Sequence, residues 1–287
     1  MDCIDELRPF FAGNECRICD CTIGGTFLWR DMFETQYAVS GGILYLKAKY
    51  LTGDTAFAPP RGDGAYSRQA YENILRYCAD NGIRARLCAV SDALLELIKG
   101  MFPDVRAYTD RAWSDYLYEA PDIINLAGRR YSGQRNHINK FTREYPDWSF
   151  ERVAPENLAD VRGFFVRYSS EHMKDYPAYN EGNAKTIELI DNYGAYGQFG
   201  GALYVGENIA GASFGELVGD TLFVHIEKAD TEYQGAYPML VNQFAKAFGS
   251  GGAAYINREE DDGVEGLRTS KMSYHPAKLL DKYVVEF

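Results

Sequence analysis

No run of apolar residues in this 287-residue chain approaches the roughly 20 that a membrane-spanning helix needs, so no integral membrane segment is expected. The N-terminus, Met1-Asp2-Cys3-Ile4-Asp5-Glu6, is acidic where a secretory signal is basic and then apolar. The expected compartment is therefore the cytoplasm. Histidine is scarce: four residues, scattered, with no paired-ligand spacing. The six cysteines are too few for a disulfide framework in a chain this long. Cys16, Cys19 and Cys21 crowd together, but a zinc site wants four convergent ligands, usually as two spaced pairs. The expectation is reduced thiols and no metal. Basic residues are also outnumbered, 30 to 41, giving a net charge of −11. That excludes broad, sequence-blind nucleic-acid binding, which depends on neutralising phosphates, and leaves room for a local basic patch.

Apolar residues make up 46% of the chain and aromatics 14%, which excludes disorder and supplies a sizeable core. In the first part, Ile43 to Leu46 and Thr55 to Ala58 read as short strands, followed by the loop Pro59-Pro60-Arg61-Gly62-Asp63-Gly64. Tyr71, Ile74, Leu75 and Cys78 recur at helical spacing, and Asn81-Gly82 supplies a stop. Leu87 to Val90 is a buried-type strand, Asp92 opens a helix carrying Leu94, Leu95 and Ile98, and a strand spans Trp113 to Tyr118.

The second part opens with helices marked by Leu158, Val161, Phe165 and Tyr168 and by Ile187 and Ile190. Strands over Ala202 to Val205, Ile209 to Phe214 and Thr221 to Lys228 are separated by turn residues, which suits an antiparallel meander. Pro238 is placed to open a helix with Leu240, Phe244, Ala247 and Phe248 on its apolar face, and Gly249-Ser250-Gly251-Gly252 ends it. A strand to Asn257, a helix from about Gly263 to Met272 and a strand from Tyr283 to Val285 follow. The expected division is residues 1–118, a connecting segment 119–150, and residues 151–287. Between Gly128 and Arg143 that segment has five basic residues and no acidic ones. On a helix, Ile138 and Phe141 face the protein while Lys140 and Arg143 share another side. The segment is either a solvated helix or a phosphate-contacting patch, with Arg135 and Lys140 the substrate-binding candidates.

Five stretches carry more than periodicity: Asp115-Tyr116-Leu117-Tyr118; Arg135-Asn136-His137-Ile138-Asn139-Lys140-Phe141; His225-Ile226-Glu227-Lys228; Tyr255-Ile256-Asn257-Arg258-Glu259-Glu260-Asp261; and Gly266-Leu267-Arg268 with Lys271-Met272-Ser273-Tyr274-His275-Pro276. Together they resemble soluble bacterial proteins bearing the phosphatidylglycerol lysyltransferase C-terminal domain, related to the Fem-type peptidyltransferases. The resemblance implies an α/β (α+β) fold of tandem GNAT-like domains, with mixed, mostly antiparallel sheets flanked by helices. It implies an acyl or aminoacyl transferase acting on an amine or hydroxyl, with a small-molecule or cell-envelope precursor as acceptor. Aminoacyl-tRNA is the preferred donor, which makes tRNA a partner; acyl-CoA is the alternative, and no resident cofactor is required. A binding protein without turnover is the rival from another class.

The reaction needs an attacking group that loses a proton and a leaving group that gains one. Glu227, just past the apolar run Leu222 to Ile226, either accepts that proton or pairs with a cation such as Lys228. Tyr274 resembles the tyrosine that protonates the leaving group in GNAT enzymes, and Glu259 is the third catalytic candidate. The GNAT pyrophosphate loop is only partly matched, because Gln234 is followed directly by Gly235, and Tyr237-Pro238 replaces the small closing residues. A helix N-terminus there still offers N–H groups to an anion, so Gln234, Gly235 and Tyr237 are donor-binding candidates. Arg268 and Lys271, three apart on a helix, can both face one anion, either a phosphate of donor or acceptor or the acidic run Glu259 to Asp261. His225, Lys228, Asn257, Arg258 and Glu260 complete the substrate-binding set, as charge gathered at strand ends that often line a cleft.

Overall fold

The computed structural model describes residues 3–12, 16–49, 53–171 and 177–287. The chain forms two compact units, one of Met1–Asp115, Glu260–Val264 and Leu280–Phe287, the other of Tyr116–Glu259 and Glu265–Leu279. Among the described residues no helix is long and apolar enough to cross a membrane.

The first unit is built on a sheet of β1 (Gln36–Ser40), β2 (Ile43–Lys49), β3 (Thr55–Phe57), β4 (Arg61–Gly62), β5 (Arg86–Val90), β6 (Arg106–Thr109) and β14 (Tyr283–Glu286). Its order is β1-β2-β3-β5-β14-β6, with β4 also on β2. The helix Arg68–Asn81 covers it because Tyr71, Ile74 and Cys78 fall on one stripe. Ser67 caps that helix by accepting from the Ala70 amide, and Gly82, at φ 63°, ends it in the left-handed region.

The second sheet contains β7 (Asp115–Glu119), β8 (Trp148–Arg152), β9 (Phe199–Val205), β10 (Asn208–Val218), β11 (Thr221–Ala229), β12 (Tyr255–Asn257) and β13 (Lys278–Leu280), in the order β13-β7-β12-β11-β10-β9-β8. Strands β9, β10 and β11 are the expected antiparallel meander. β11 and β12 are parallel, with Leu222 opposite Ile256, and the helix Ala236–Gly249 makes the crossover between them. Val241, Phe244, Ala245 and Phe248 of this helix pack on Leu222, Val224 and Ile256. Its buried Asn242 donates to the carbonyls of Ile123 and Ile124, at 2.8 and 2.9 Å, and so satisfies the end of the helix Ala120–Asn125.

Two strands change sides relative to the expected division at residue 118. β14, expected to complete the C-terminal half, lies between β5 and β6 in the first sheet and buries Val285 there. β7, expected to close the N-terminal half, pairs antiparallel with β12 and gives Tyr116 and Tyr118 to the second core. Alternating apolar residues identify a strand, but long-range pairing chooses its neighbours, and local pattern carries no information on that choice.

Candidate active site

The site lies in the second unit, where the ends of β11 and β12 meet three helices. A cavity of about 250 Å³ opens there. Its walls come from the helix Ser132–Glu144 (Gln134, His137), the start of the helix Ala236–Gly249 (Tyr237, Pro238), Arg258, and the segment ending the helix Glu265–Met272 (Ser273, Tyr274).

Arg258 follows β12 directly and is 7% exposed. Its Nη2 donates to Glu227 Oε1 at 2.5 Å, and its guanidinium carbon lies 4.8 Å from the Tyr274 ring centroid. Burial works against the charge, but the Glu227 carboxylate more than offsets it and the guanidinium is held charged. Its other terminal nitrogen, Nη1, is buried and has no hydrogen-bond partner among the described residues. A buried guanidinium nitrogen with an unmet donor calls for an explanation, and Arg258 is one of the residues lining the cavity.

Tyr274 is 4% exposed. Burial pushes its phenol well above the ordinary tyrosine range, with Arg258 pulling partly the other way, so it keeps its proton at neutral pH. Beneath it, Tyr118 stacks edge-on at 6.5 Å and donates its hydroxyl to the Lys271 carbonyl at 2.9 Å. Gln134 Nε2 donates to the Ser273 carbonyl at 2.9 Å and ties the segment carrying Tyr274 to the Ser132–Glu144 helix.

Glu227, Arg258, Tyr274 and Tyr237 therefore come together, while the other candidates go elsewhere. Lys271 turns inward, 7% exposed, and its ammonium donates to the carbonyls of Arg258 and Glu259 at 2.6 and 3.3 Å. It does not share an anion with Arg268, which sits half-buried on the same helix outside the cavity wall. His225 is a correction of a different kind. Its side chain is fully enclosed, with Nδ1 2.7 Å from Glu259 Oε1 and Nε2 2.9 Å from Glu216 Oε1. Burial alone would drive the imidazolium to lose its proton, but the two carboxylates win and raise its pKa to about 10. His225 and Glu259 thus form an ion cluster with Glu216, and neither lines the cavity. Asn257 is fully buried and accepts from the Glu259 amide at 2.6 Å, holding Glu259 at a φ of 56°.

The phosphate-loop candidates are also corrected. Gly235, at φ 89°, caps the Ala236–Gly249 helix, but a Cβ there would stand 2.6 Å from the His137 carbonyl oxygen and 3.2 Å from Phe141 Cβ. The glycine admits the neighbouring helix, not an anion. Gln234 is engaged by Lys140, which also pairs with Glu144 at 3.7 Å. Arg135 donates to the carbonyls of Leu126 and Gly128. Lys228 lies 5.9 Å from the Tyr168 ring centroid, and the Tyr237 and Tyr168 hydroxyls are 3.4 Å apart.

Glu260 belongs to the first unit, in a cluster that sequence reasoning missed. Lys282 Nζ is 2.7 Å from Asp115 Oδ1, 2.7 Å from Glu260 Oε2, 2.8 Å from Asp20 Oδ2 and 3.1 Å from Cys19 Sγ. The lysine fills the place a cation would take among these groups. Also missed were Gln134, His137 and Ser273 in the cavity wall. Two of these stand in or next to the stretch from Arg135 to Phe141, whose basic residues drew attention away from them.

Comparison with known proteins supports the same fold. An uncharacterised protein of Mycoplasmoides gallisepticum is 26% identical over 195 residues, 67% of this chain and 61% of that protein, so the match spans under two thirds of the relative. A conserved protein of unknown function from Bacteroides thetaiotaomicron superposes over 100% of this chain and 97% of its own, at a TM-score of 0.90 and 28% identity. The C-terminal domain of a putative lysylphosphatidylglycerol synthetase from Agrobacterium fabrum covers 99% of this chain and 92% of its own, at 0.72 and 14%. FemX, at 0.54 and 10% identity over 98% of this chain and 95% of its own, shares the GNAT-like fold. The family described as phosphatidylglycerol lysyltransferase, C-terminal, matches residues 15–286, and the chain belongs to that family.

Proposed function

We propose that the protein transfers an aminoacyl group from aminoacyl-tRNA to an amine or hydroxyl acceptor, within the cavity bounded by Arg258 and Tyr274. The observation that carries this reading is that one cavity is lined both by Arg258, whose Nη1 has no hydrogen-bond partner among the described residues, and by Tyr274, a phenol kept protonated by burial. Acyl transfer needs both: a donor toward the carbonyl oxygen as negative charge develops there, and an acid for the leaving oxygen. The acceptor's nitrogen or oxygen attacks the ester carbonyl, whose oxygen takes the Nη1 hydrogen bond. As the ester C–O bond breaks, Tyr274 protonates the departing ribose oxygen, and the acceptor's proton returns to the phenolate. Glu227 holds Arg258 in place and is not the base. The activated ester supplies the driving force, so no resident cofactor is needed.

The cavity's size supports a small transferred group: about 250 Å³ equals about eight waters at roughly 30 Å³ each. The preference for tRNA over CoA rests on the turn at Gly235. A carbonyl oxygen from His137 faces the start of the helix Ala236–Gly249, and Phe141 covers it. An acceptor oxygen there repels a pyrophosphate. The family's description names a lysyltransferase, and the fold is that of FemX, which supports the same class of chemistry.

The test is transfer from radiolabelled aminoacyl-tRNA, prepared with each amino acid separately, to small amines and to a cell-envelope precursor extract, with acetyl-CoA in parallel. Label moving from tRNA to an acceptor, and lost in Tyr274→Phe, is the expected result. Consumption of acetyl-CoA alone would replace the donor. If neither donor is consumed faster than in buffer, the catalytic reading fails and a binding protein takes its place.

A further inference from the structure

We propose that Cys16 and Cys21, in the first unit and apart from the transferase cavity, are a redox-active dithiol that closes reversibly to a disulfide by exchange with a low-molecular-weight disulfide. Nothing in the proposed transferase chemistry calls for this pair.

The local fold brings the two sulfurs together. Ile18 is extended, and the short turn Cys19–Cys21 folds the chain back, with the Cys21 amide on the Ile18 carbonyl at 3.0 Å. The Sγ atoms of Cys16 and Cys21 then lie 2.6 Å apart, and the residues are not joined by a disulfide. A bonded pair stands at about 2.05 Å, so closure needs little movement of either side chain. Cys16 is half-buried and open to a reagent, while Cys21 is buried.

The charge nearby favours a thiolate on Cys21, whereas the hydrogen bond to Cys21 and burial push the Cys16 thiol up, so the pair shares its proton toward Cys16. Arg61 is 7% exposed, donates Nη2 to the Asp20 carbonyl at 2.9 Å and lies 4.6 Å from the Phe11 ring centroid. Its Nε has no hydrogen-bond partner among the described residues. Beside this buried cation, the Cys16 hydrogen bond and then the Arg61 charge draw the Cys21 thiol down to about 7 against the effect of burial. Cys19, between the two, has its sulfur 3.1 Å from Lys282 Nζ and is sealed in the ion cluster, where burial pushes its thiol up. It takes no part.

The exchange balances as follows. Cys16 sulfur attacks one sulfur of the external disulfide while its proton passes to Cys21 sulfur, releasing one thiolate and leaving a mixed disulfide on Cys16. Cys21 sulfur then attacks Cys16, forming the internal bond and expelling the second thiolate. The Cys21 proton and one from water neutralise the two departing thiolates, with the hydroxide matching the thiolate character Cys21 began with. The protein loses two electrons and the reagent gains them.

The experiment uses the whole protein, equilibrated in buffers of stepped glutathione to glutathione disulfide ratio, quenched with acid, alkylated and mapped by mass spectrometry. The expected product is lighter by two hydrogens, titrates four thiols under denaturant where the sequence has six, carries the bond between Cys16 and Cys21, and reverts with dithiothreitol. Cys19→Ser closes the same bond. Cys16→Ser and Cys21→Ser do not close it, and in Cys21→Ser the glutathione adduct stays on Cys16. A bond through Cys19, a persistent mixed disulfide in the unaltered protein, or six titratable thiols at every ratio overturns the proposal. So does one equivalent of zinc that blocks the exchange, which would make the pair metal ligands. If either serine variant does not fold, the peptide map of the unaltered protein alone decides. None of these outcomes depends on transferase activity.

Discussion

Arg258 Nη2 and Glu227 Oε1 stand 2.5 Å apart and join two parallel neighbours, β11 and the residue just beyond β12. The pair converts two charges that look independent in sequence into one buried unit. Its carboxylate side is met by a single guanidinium nitrogen, and the other terminal nitrogen has no hydrogen-bond partner among the described residues. An ion pair used only for stability has no reason to leave that donor unmet, because a buried unsatisfied N–H costs about 1–3 kcal/mol. In the proposed transfer, Glu227 sets the angle of Arg258 and touches no reacting atom.

Removing one partner should therefore be worse than removing both. Glu227→Gln leaves a buried guanidinium uncompensated and is expected to lower unfolding stability by about 3–5 kcal/mol, read from urea unfolding. The double variant Glu227→Leu, Arg258→Met should recover much of that loss and remain inactive. A double variant that unfolds as readily as Glu227→Gln would show that packing, not charge balance, sets the stability here.

Tyr274 gives the opposite separation of stability and rate. Its hydroxyl makes no hydrogen bond with a described residue, so Tyr274→Phe should change stability by no more than about 0.5 kcal/mol. As the acid for the leaving oxygen, its loss should lower kcat by roughly 100-fold or more, with the KM for aminoacyl-tRNA nearly unchanged. A variant that loses affinity and keeps kcat would make Tyr274 a contact for the substrate.

How far the site could be read in sequence follows from the range of each signal. Glu227 and Tyr274 were legible because each stands at the end of a regular element within a recognisable stretch. Arg258 was legible as charge after a buried strand, but its orphaned nitrogen depends on where Glu227 lands, 31 residues away. Lys271 is hidden from sequence because a charged residue on a helix looks exposed, and here the Arg258 carbonyl lets it be buried. His225 reads equally as a packed strand residue, and the two carboxylates that bury it charged lie 9 and 34 residues away. The meander was visible in its turn residues. The placement of β14 beside β5 was not, because that pairing joins residues nearly 200 apart.

Gly235 distinguishes helix packing from anion binding. Any side chain there meets the His137 carbonyl and must also adopt a φ of 89°, which only glycine takes readily. Gly235→Ala should lower stability by more than about 1 kcal/mol and so shift the thermal midpoint down. If the glycine instead served a bound phosphate, the substitution would spare the midpoint and weaken donor binding alone.

The His225 cluster makes stability depend on pH in a defined direction. The folded imidazolium holds its proton to a pKa of about 10, against 6.5 for an unhindered histidine. The unfolded chain thus releases a proton that the folded one keeps, and stability must fall as pH rises between those values. The contribution is complete below 6.5 and gone above about 10. Its slope is about 1.4 kcal/mol per pH unit. Asp115, pushed up to about 8 by burial against the pull of Lys282, adds a loss of the same sign at lower pH, and Cys21 one of opposite sign. Comparison with His225→Gln removes both. The stability difference between the two proteins should shrink steadily from pH 6.5 toward 10 in urea titrations at fixed salt. A difference that stays flat across that window would mean that the imidazole is neutral in the fold and that Glu216 and Glu259 carry the proton between them.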